Sequence, residues 1–82
     1  MLEEWKNVRK VIGAKQLRRA LMEGGVRQVC LARDADPAIT EPLAALCGER
    51  QVPCQWIDRM SDLGRVCGID VQASAAGILN AF

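Results

Sequence analysis

The segment Val29-Cys30-Leu31-Ala32 is apolar at every position, so neither face of a strand built from it belongs in water. Such a strand needs a helical layer on each side, and a chain of 82 residues can satisfy that in few ways. The flanking sequence supplies the helices. Between Ala14 and Met22, Leu17, Ala20 and Leu21 recur at the helical i, i+3, i+4 spacing, while Lys15, Arg18, Arg19 and Met22 take the opposite side. Gly24-Gly25 closes this helix with the left-handed residue that a helix C-terminus prefers. A proline deep inside a helix costs a hydrogen bond, so the next helix is predicted to have its N-cap at Thr40, with Pro42 in the first turn. It runs to about Arg50 and buries Leu43, Leu46 and Cys47. A third, short helix is expected to be capped by Ser61 and closed by Gly68.

The intervening apolar stretches read as strands. Arg9 to Ile12 is one; residues 52–57 form another, placed near a sheet edge by Pro53. The last is predicted from Val71 to about Leu79, where Ala, Ser and Gly let a helix approach the sheet closely. Residues 3–8 read as a short helix with Trp5 and Val8 on its apolar face, and Arg33-Asp34-Ala35-Asp36-Pro37 as a turn. The alternation predicts an α/β fold: a three-layer α/β/α sandwich with a mixed sheet of about four strands, forming one domain over residues 1–82.

Composition excludes several functions. No apolar run approaches the roughly 18 residues that a membrane span needs, and a cytoplasmic protein is expected. The four cysteines have no C-x-x-C spacing and no histidine accompanies them. They read as buried thiols, and neither metal nor cofactor is expected. With no histidine, no tyrosine and no nucleophile beside a recognisable base, catalysis is not expected either. The paired acids Asp34 and Asp36 read as turn residues, and Trp5 and Trp56 as packing anchors in preference to base-stacking surfaces.

Charge is the remaining clue. The net value is only +1, but residues 1–33 hold eight Lys or Arg against three Glu, a net +5, and residues 34–82 hold three Arg against seven acids, a net −4. Within the basic part lies Gly13-Ala14-Lys15-Gln16-Leu17-Arg18-Arg19. A residue without a side chain, opening into helix amides with cations just behind, is suited to close approach by phosphate or a nucleobase edge. Nucleic acid is the leading partner on this reading; docking of an acidic protein on the same basic face is the alternative.

Three ordered motifs carry a family resemblance. Val11-Ile12-Gly13-Ala14-Lys15-Gln16, then Ala32-Arg33-Asp34-Ala35-Asp36-Pro37, then Leu63-Gly64-Arg65-Val66-Cys67-Gly68-Ile69-Asp70-Val71 resemble the ribosomal protein L-seven-Ae superfamily, and in particular its small bacterial kink-turn RNA-binding branch of the YbxF and YlxQ type. The likeness runs from about residue 7 to residue 80. It implies a non-enzymatic protein that binds structured RNA: a kink-turn, sharply bent at a bulge flanked by sheared G·A pairs, in ribosomal RNA or a riboswitch, with the ribosome as a possible setting; a monomer is expected because no helical face is left obviously unpaired. It further implies that Gly13, Ala14, Lys15, Gln16, Arg18 and Arg19 enter the widened major groove, and it groups Arg33 with them. Lys offers donors to guanine O6 and N7, and Gln both donates and accepts at a base edge. Ile69, Asp70 and Val71 form the second implied contact, the apolar pair against flipped bases and Asp70 accepting from a sugar hydroxyl or exocyclic amine. From the residues alone, Ile69 and Val71 fit better a last strand entering the core; the resemblance reverses that order and favours the exposed placement.

Overall fold

The computed structural model describes Trp5 and residues 8–80. Its elements follow in the order β1 (Lys10–Ile12), α1 (Ala14–Glu23), β2 (Val26–Ala32), α2 (Pro37–Arg50), β3 (Cys54–Ile57), α3 (Met60–Val66) and β4 (Ala75–Leu79). The strands form one sheet in the order β1-β4-β2-β3, with β2 and β3 parallel and β4 antiparallel to both of its neighbours. The expected mixed four-stranded sheet with helices on both faces is therefore present.

Alternation along the strands sorts the core into two layers. Val29 and Leu31 of β2 and Ala75 of β4 face one way, against Leu17 and Leu21 of α1 and Leu43 and Cys47 of α2. Cys30 and Ala32 of β2 and Ala76 and Ile78 of β4 face the other way, against Leu63 of α3, Cys67 and Trp5. The doubly apolar Val29–Ala32 segment is thus central because each of its faces meets a different helical layer. Small residues in β4 do what their size suggests: a Cβ added at Gly77 would stand 2.5 Å from Leu17 Cδ1, so α1 rests directly on the strand backbone. Three of the cysteines are buried and Cys54 is half-buried; all are free thiols. Burial pushes Cys30 and Cys47 up to about 12, as a low-dielectric setting penalises the thiolate.

Four expected boundaries are corrected. Helix α2 begins at Pro37, not after a Thr40 cap; Asp36 is the N-cap and its side chain accepts from the Ala38 N–H at 2.9 Å. Pro37 takes the first helical position, where a proline loses nothing, and Pro42 lies inside the helix. The carbonyl left without its donor by Pro42 belongs to Ala38, an exposed residue whose carbonyl water can serve. Thr40 is instead buried in the second turn of the helix. Ser61 does not cap α3, which starts one residue earlier; the Met60 N–H is taken by Asp34 Oδ1 at 2.8 Å, from a residue distant in sequence. Strand β3 starts at Cys54, two residues later than expected. Strand β4 starts at Ala75, which leaves residues 69–74 as a loop. The expected helix over residues 3–8 lies largely outside the described residues, of which Trp5 is fully buried and Val8 packs beside it. Among the described residues, no helix is long and apolar enough to cross a membrane.

Candidate nucleic-acid interface

Strand directions decide where the candidate residues meet. Because β4 is antiparallel to both β1 and β2, and β3 is parallel to β2, the C-terminal ends of β1, β2 and β3 emerge on one edge of the sheet, beside the start of β4. Open α/β sheets place ligands at the carboxyl ends of their strands. Here that edge collects the N-termini of all three helices, the 33–36 turn and the 69–74 loop.

The three helix N-termini are treated differently. Asp36 caps α2 and Asp34 caps α3. No side chain caps α1, and its first turn contains no acidic residue. The N–H groups from Ala14 to Gln16 therefore point out of the helix end without an intrahelical partner, at the positive pole of the macrodipole. Gly13 makes this presentation possible: its φ of 105° and ψ of 148° lie where side-chain-bearing residues are rarely found, its N–H donates to the Ala75 carbonyl at 2.8 Å, and its carbonyl accepts from Leu17 at 3.0 Å. A Cβ at Gly13 would meet nothing within 4 Å, so the space in front of the glycine is open.

Lys15, Gln16, Arg18 and Arg19 are all exposed and line one shallow hollow with Met22 and Glu23. Arg19 also forms an i,i+4 ion pair with Glu23, Nε to Oε2 at 3.6 Å, with both side chains largely in solvent. Such a pair contributes little and yields readily to a phosphate. Ala14 is half-buried between this hollow and the groove toward α2.

The 69–74 loop is held at its base. Ile69 N–H donates to the Gly64 carbonyl at 3.0 Å and Ala73 N–H to the Met60 carbonyl at 3.1 Å. Gly64 is obligatory here, since a Cβ would fall inside the van der Waals envelope of the Val71 carbonyl oxygen. The two placements considered for Ile69 and Val71 divide between them. Ile69 is half-buried and packs on the α3-side core, whereas Val71 is 68% exposed; Asp70 between them is exposed. Arg33, just beyond β2, is exposed and stands off the α1 hollow, beside Asp58 and Trp56. Trp56 was read from the sequence as a packing anchor, yet it lies on the outer strand with 37% of its surface in solvent. Pro53 points to an edge position for this strand, and β3 is indeed an edge strand, where one side of the ladder lacks a neighbour to cover the indole. Among the described residues, no group of three His, Cys, Asp or Glu is disposed to hold a metal ion.

Fold and edge together define a small α/β/α domain with a preassembled, uncapped, cation-flanked helix end at the carboxyl edge of its sheet. The chain belongs to the ribosomal protein L7Ae/L30e/S12e/Gadd45 family, whose model matches residues 3–82. It is 46% identical over 69 residues to the RNA-binding protein YbxF of Geobacillus stearothermophilus, covering 84% of each chain. It is 41% identical over 69 residues, again 84% of each, to an RNA-binding protein of Bacillus pumilus (strain SAFR-032). Among solved structures, the Giardia lamblia 15.5kD RNA binding protein superposes with a TM-score of 0.82 at 30% identity over 88% of this chain; the match spans 61% of the Giardia protein.

Proposed function

We propose that this chain is a non-enzymatic RNA-binding protein that selects and stabilises the kink-turn. The observation that carries the reading is the unequal treatment of three neighbouring helix ends: two closed by aspartates, the third left open beside Lys15, Gln16, Arg18 and Arg19. An aspartate at the third would repel a phosphate or a base-edge acceptor; an open end attracts one. The relatives bearing RNA-binding names support the partner class. The family resemblance supplies the kink-turn.

The mechanism follows from charge and shape. A kink brings phosphates together, and the bent conformer is a minor member of the RNA ensemble unless that crowding is neutralised. Cations placed where the crowding occurs lower the free energy of the bent form selectively, and the population shifts toward it. Amides from Ala14 to Gln16 and the Lys15 and Gln16 side chains read base edges exposed in the opened major groove, and Val71 covers a base displaced from the bulge.

The test is fluorescence anisotropy on a kink-turn RNA and on the same RNA with its sheared G·A pairs replaced by Watson–Crick pairs. The intact RNA is expected to bind far more tightly. Lys15→Ala and Arg19→Ala each weaken that binding by roughly 1–3 kcal/mol through lost base or charge contacts, whereas Arg9→Ala gives a smaller, salt-sensitive loss. Equal affinity for the two RNAs overturns the kink-turn reading, and no RNA binding at all favours the protein-docking alternative.

A further inference from the structure

A second feature of the same edge lies outside the α1 hollow. The sheet register places Gly13, Ala75, Leu31 and Trp56 in one row: Gly13 bonds to Ala75, Ala75 pairs with Leu31, and Leu31 pairs with Trp56. Three inter-strand spacings separate the ends of that row, about 14 Å. At its far end Arg33, Ala35, Pro37, Thr40, Glu41 and Trp56 line a small hollow against the start of α2.

The geometry within this hollow is specific. The Arg33 guanidinium lies over the indole with Cζ 5.9 Å from the ring centroid, and its Nε is held by Asp58 Oδ1 at 3.3 Å. A cation 5.9 Å from a ring centroid stands at the outer limit of a cation–π contact, so the guanidinium and indole are only loosely paired. A flat base inserted between them needs two stacking spacings of about 3.4 Å, close to 7 Å in all. Arg33 is a long side chain lying largely in solvent, and swinging it off the indole opens that space. The neighbouring carboxylates have protein donors: Asp58 pairs with Arg33, Asp34 caps α3 and Asp36 caps α2. Glu41 makes none of these bonds and lines the hollow, where it can accept from the exocyclic amine of a base.

We infer that Arg33 and Trp56 form a stacking slot for one unpaired nucleobase of the bound RNA, preferably a purine with a donor-bearing edge for Glu41. This rests on the kink-turn reading and extends it: the slot takes a nucleotide of a strand that continues past the α1 hollow. At about 3.4 Å per stacked nucleotide, the row of 14 Å corresponds to about four nucleotides.

The experiment compares a blunt kink-turn RNA with RNAs carrying a four-nucleotide single-stranded GAGA extension at either end, and with an abasic extension of equal length. One GAGA-extended RNA is expected to bind roughly 5- to 150-fold more tightly than the blunt one, the range for stacking a base on an aromatic ring. The abasic extension keeps the phosphates and loses the gain. Because Trp5 is fully buried, quenching of tryptophan fluorescence by the extension reports on Trp56. In Trp56→Leu and Arg33→Ala the affinity ratio of extended to blunt RNA falls toward one, each fold being checked by circular dichroism. No gain from either extension, an equal gain from the abasic one, or a gain surviving in Trp56→Leu overturns the slot while leaving the kink-turn reading intact. Failure of wild-type protein to discriminate the blunt RNA from its G·A-disrupted version overturns that reading, and the slot with it.

Discussion

Replacing Gly13 with alanine tests the hinge on which α1 is presented. At φ 105° and ψ 148° an alanine is strained by roughly 1–3 kcal/mol. Its methyl group meets nothing within 4 Å, so no packing gain or clash modifies the figure. A domain of 82 residues is held by roughly 4–12 kcal/mol in total, so the variant stays mostly folded at 25 °C and its RNA affinity remains measurable. Its melting temperature falls by about 4–24 °C, using the dependence established for domains of this size. Gly48→Ala is the matched control. That glycine lies inside α2, exposed and with open space around it, and alanine there stabilises by roughly 0.5–1 kcal/mol. Urea denaturation followed by circular dichroism should therefore move the two variants in opposite directions. A Gly13→Ala protein as stable as wild type would show that the hinge is not strained as described, and unaltered RNA affinity in the same protein would remove Gly13 from the interface.

Other perturbations isolate other parts of the account. Gly64→Ala sets a methyl group against the Val71 carbonyl and lifts the 69–72 loop, destabilising by about 1–3 kcal/mol and weakening RNA binding beyond the effect of Val71→Ala alone; hydrogen exchange at Ile69 reports the displacement. Asp34→Ala removes the acceptor for the Met60 N–H and costs about 0.5–2 kcal/mol in urea denaturation, with faster exchange confined to the first turn of α3. The buried thiols make stability depend on alkaline pH. Cys47 ionises near 9.0 unfolded and near 12 folded, so its contribution is intact below pH 9 and is lost as pH rises toward 12. Between pH 8 and pH 10.5 the stability of wild type should consequently fall more steeply than that of Cys47→Ala; parallel curves would contradict the burial argument.

Much of this fold is written locally. Gly13 and Gly24 bracket α1 so closely that its limits are readable, and the apolar faces of Val29–Ala32 require helices on both sides. The α2 boundary was legible but outweighed: Asp36-Pro37 is an N-cap followed by proline at the first position, yet the presence of Pro42 argued for a later start, and tolerance of an interior proline depends on the exposure of Ala38. Other features are set by contacts between distant residues. Asp34 reaches α3 across 26 positions, and Val71 is held out of β4 because its carbonyl rests on Gly64. Of the candidate site, Lys15, Gln16, Arg18, Arg19 and Val71 are exposed, with Ala14 half-buried among them. The edge position of the Trp56 strand was legible from Pro53, but the partnership of Trp56 with Arg33 joins residues 23 positions apart and no local pattern specifies it.

On this reading the uncapped end of α1 and the 69–71 loop act as a single RNA-reading face. Backbone amide shift mapping of the isotopically labelled protein, titrated with a kink-turn RNA, addresses it most directly. The largest shifts are expected at Gly13, Ala14, Lys15 and Gln16 together with Ile69, Asp70 and Val71, with little change at Glu49–Val52 at the opposite end of α2. Shifts that spare Gly13 to Gln16 while clustering elsewhere would contradict it.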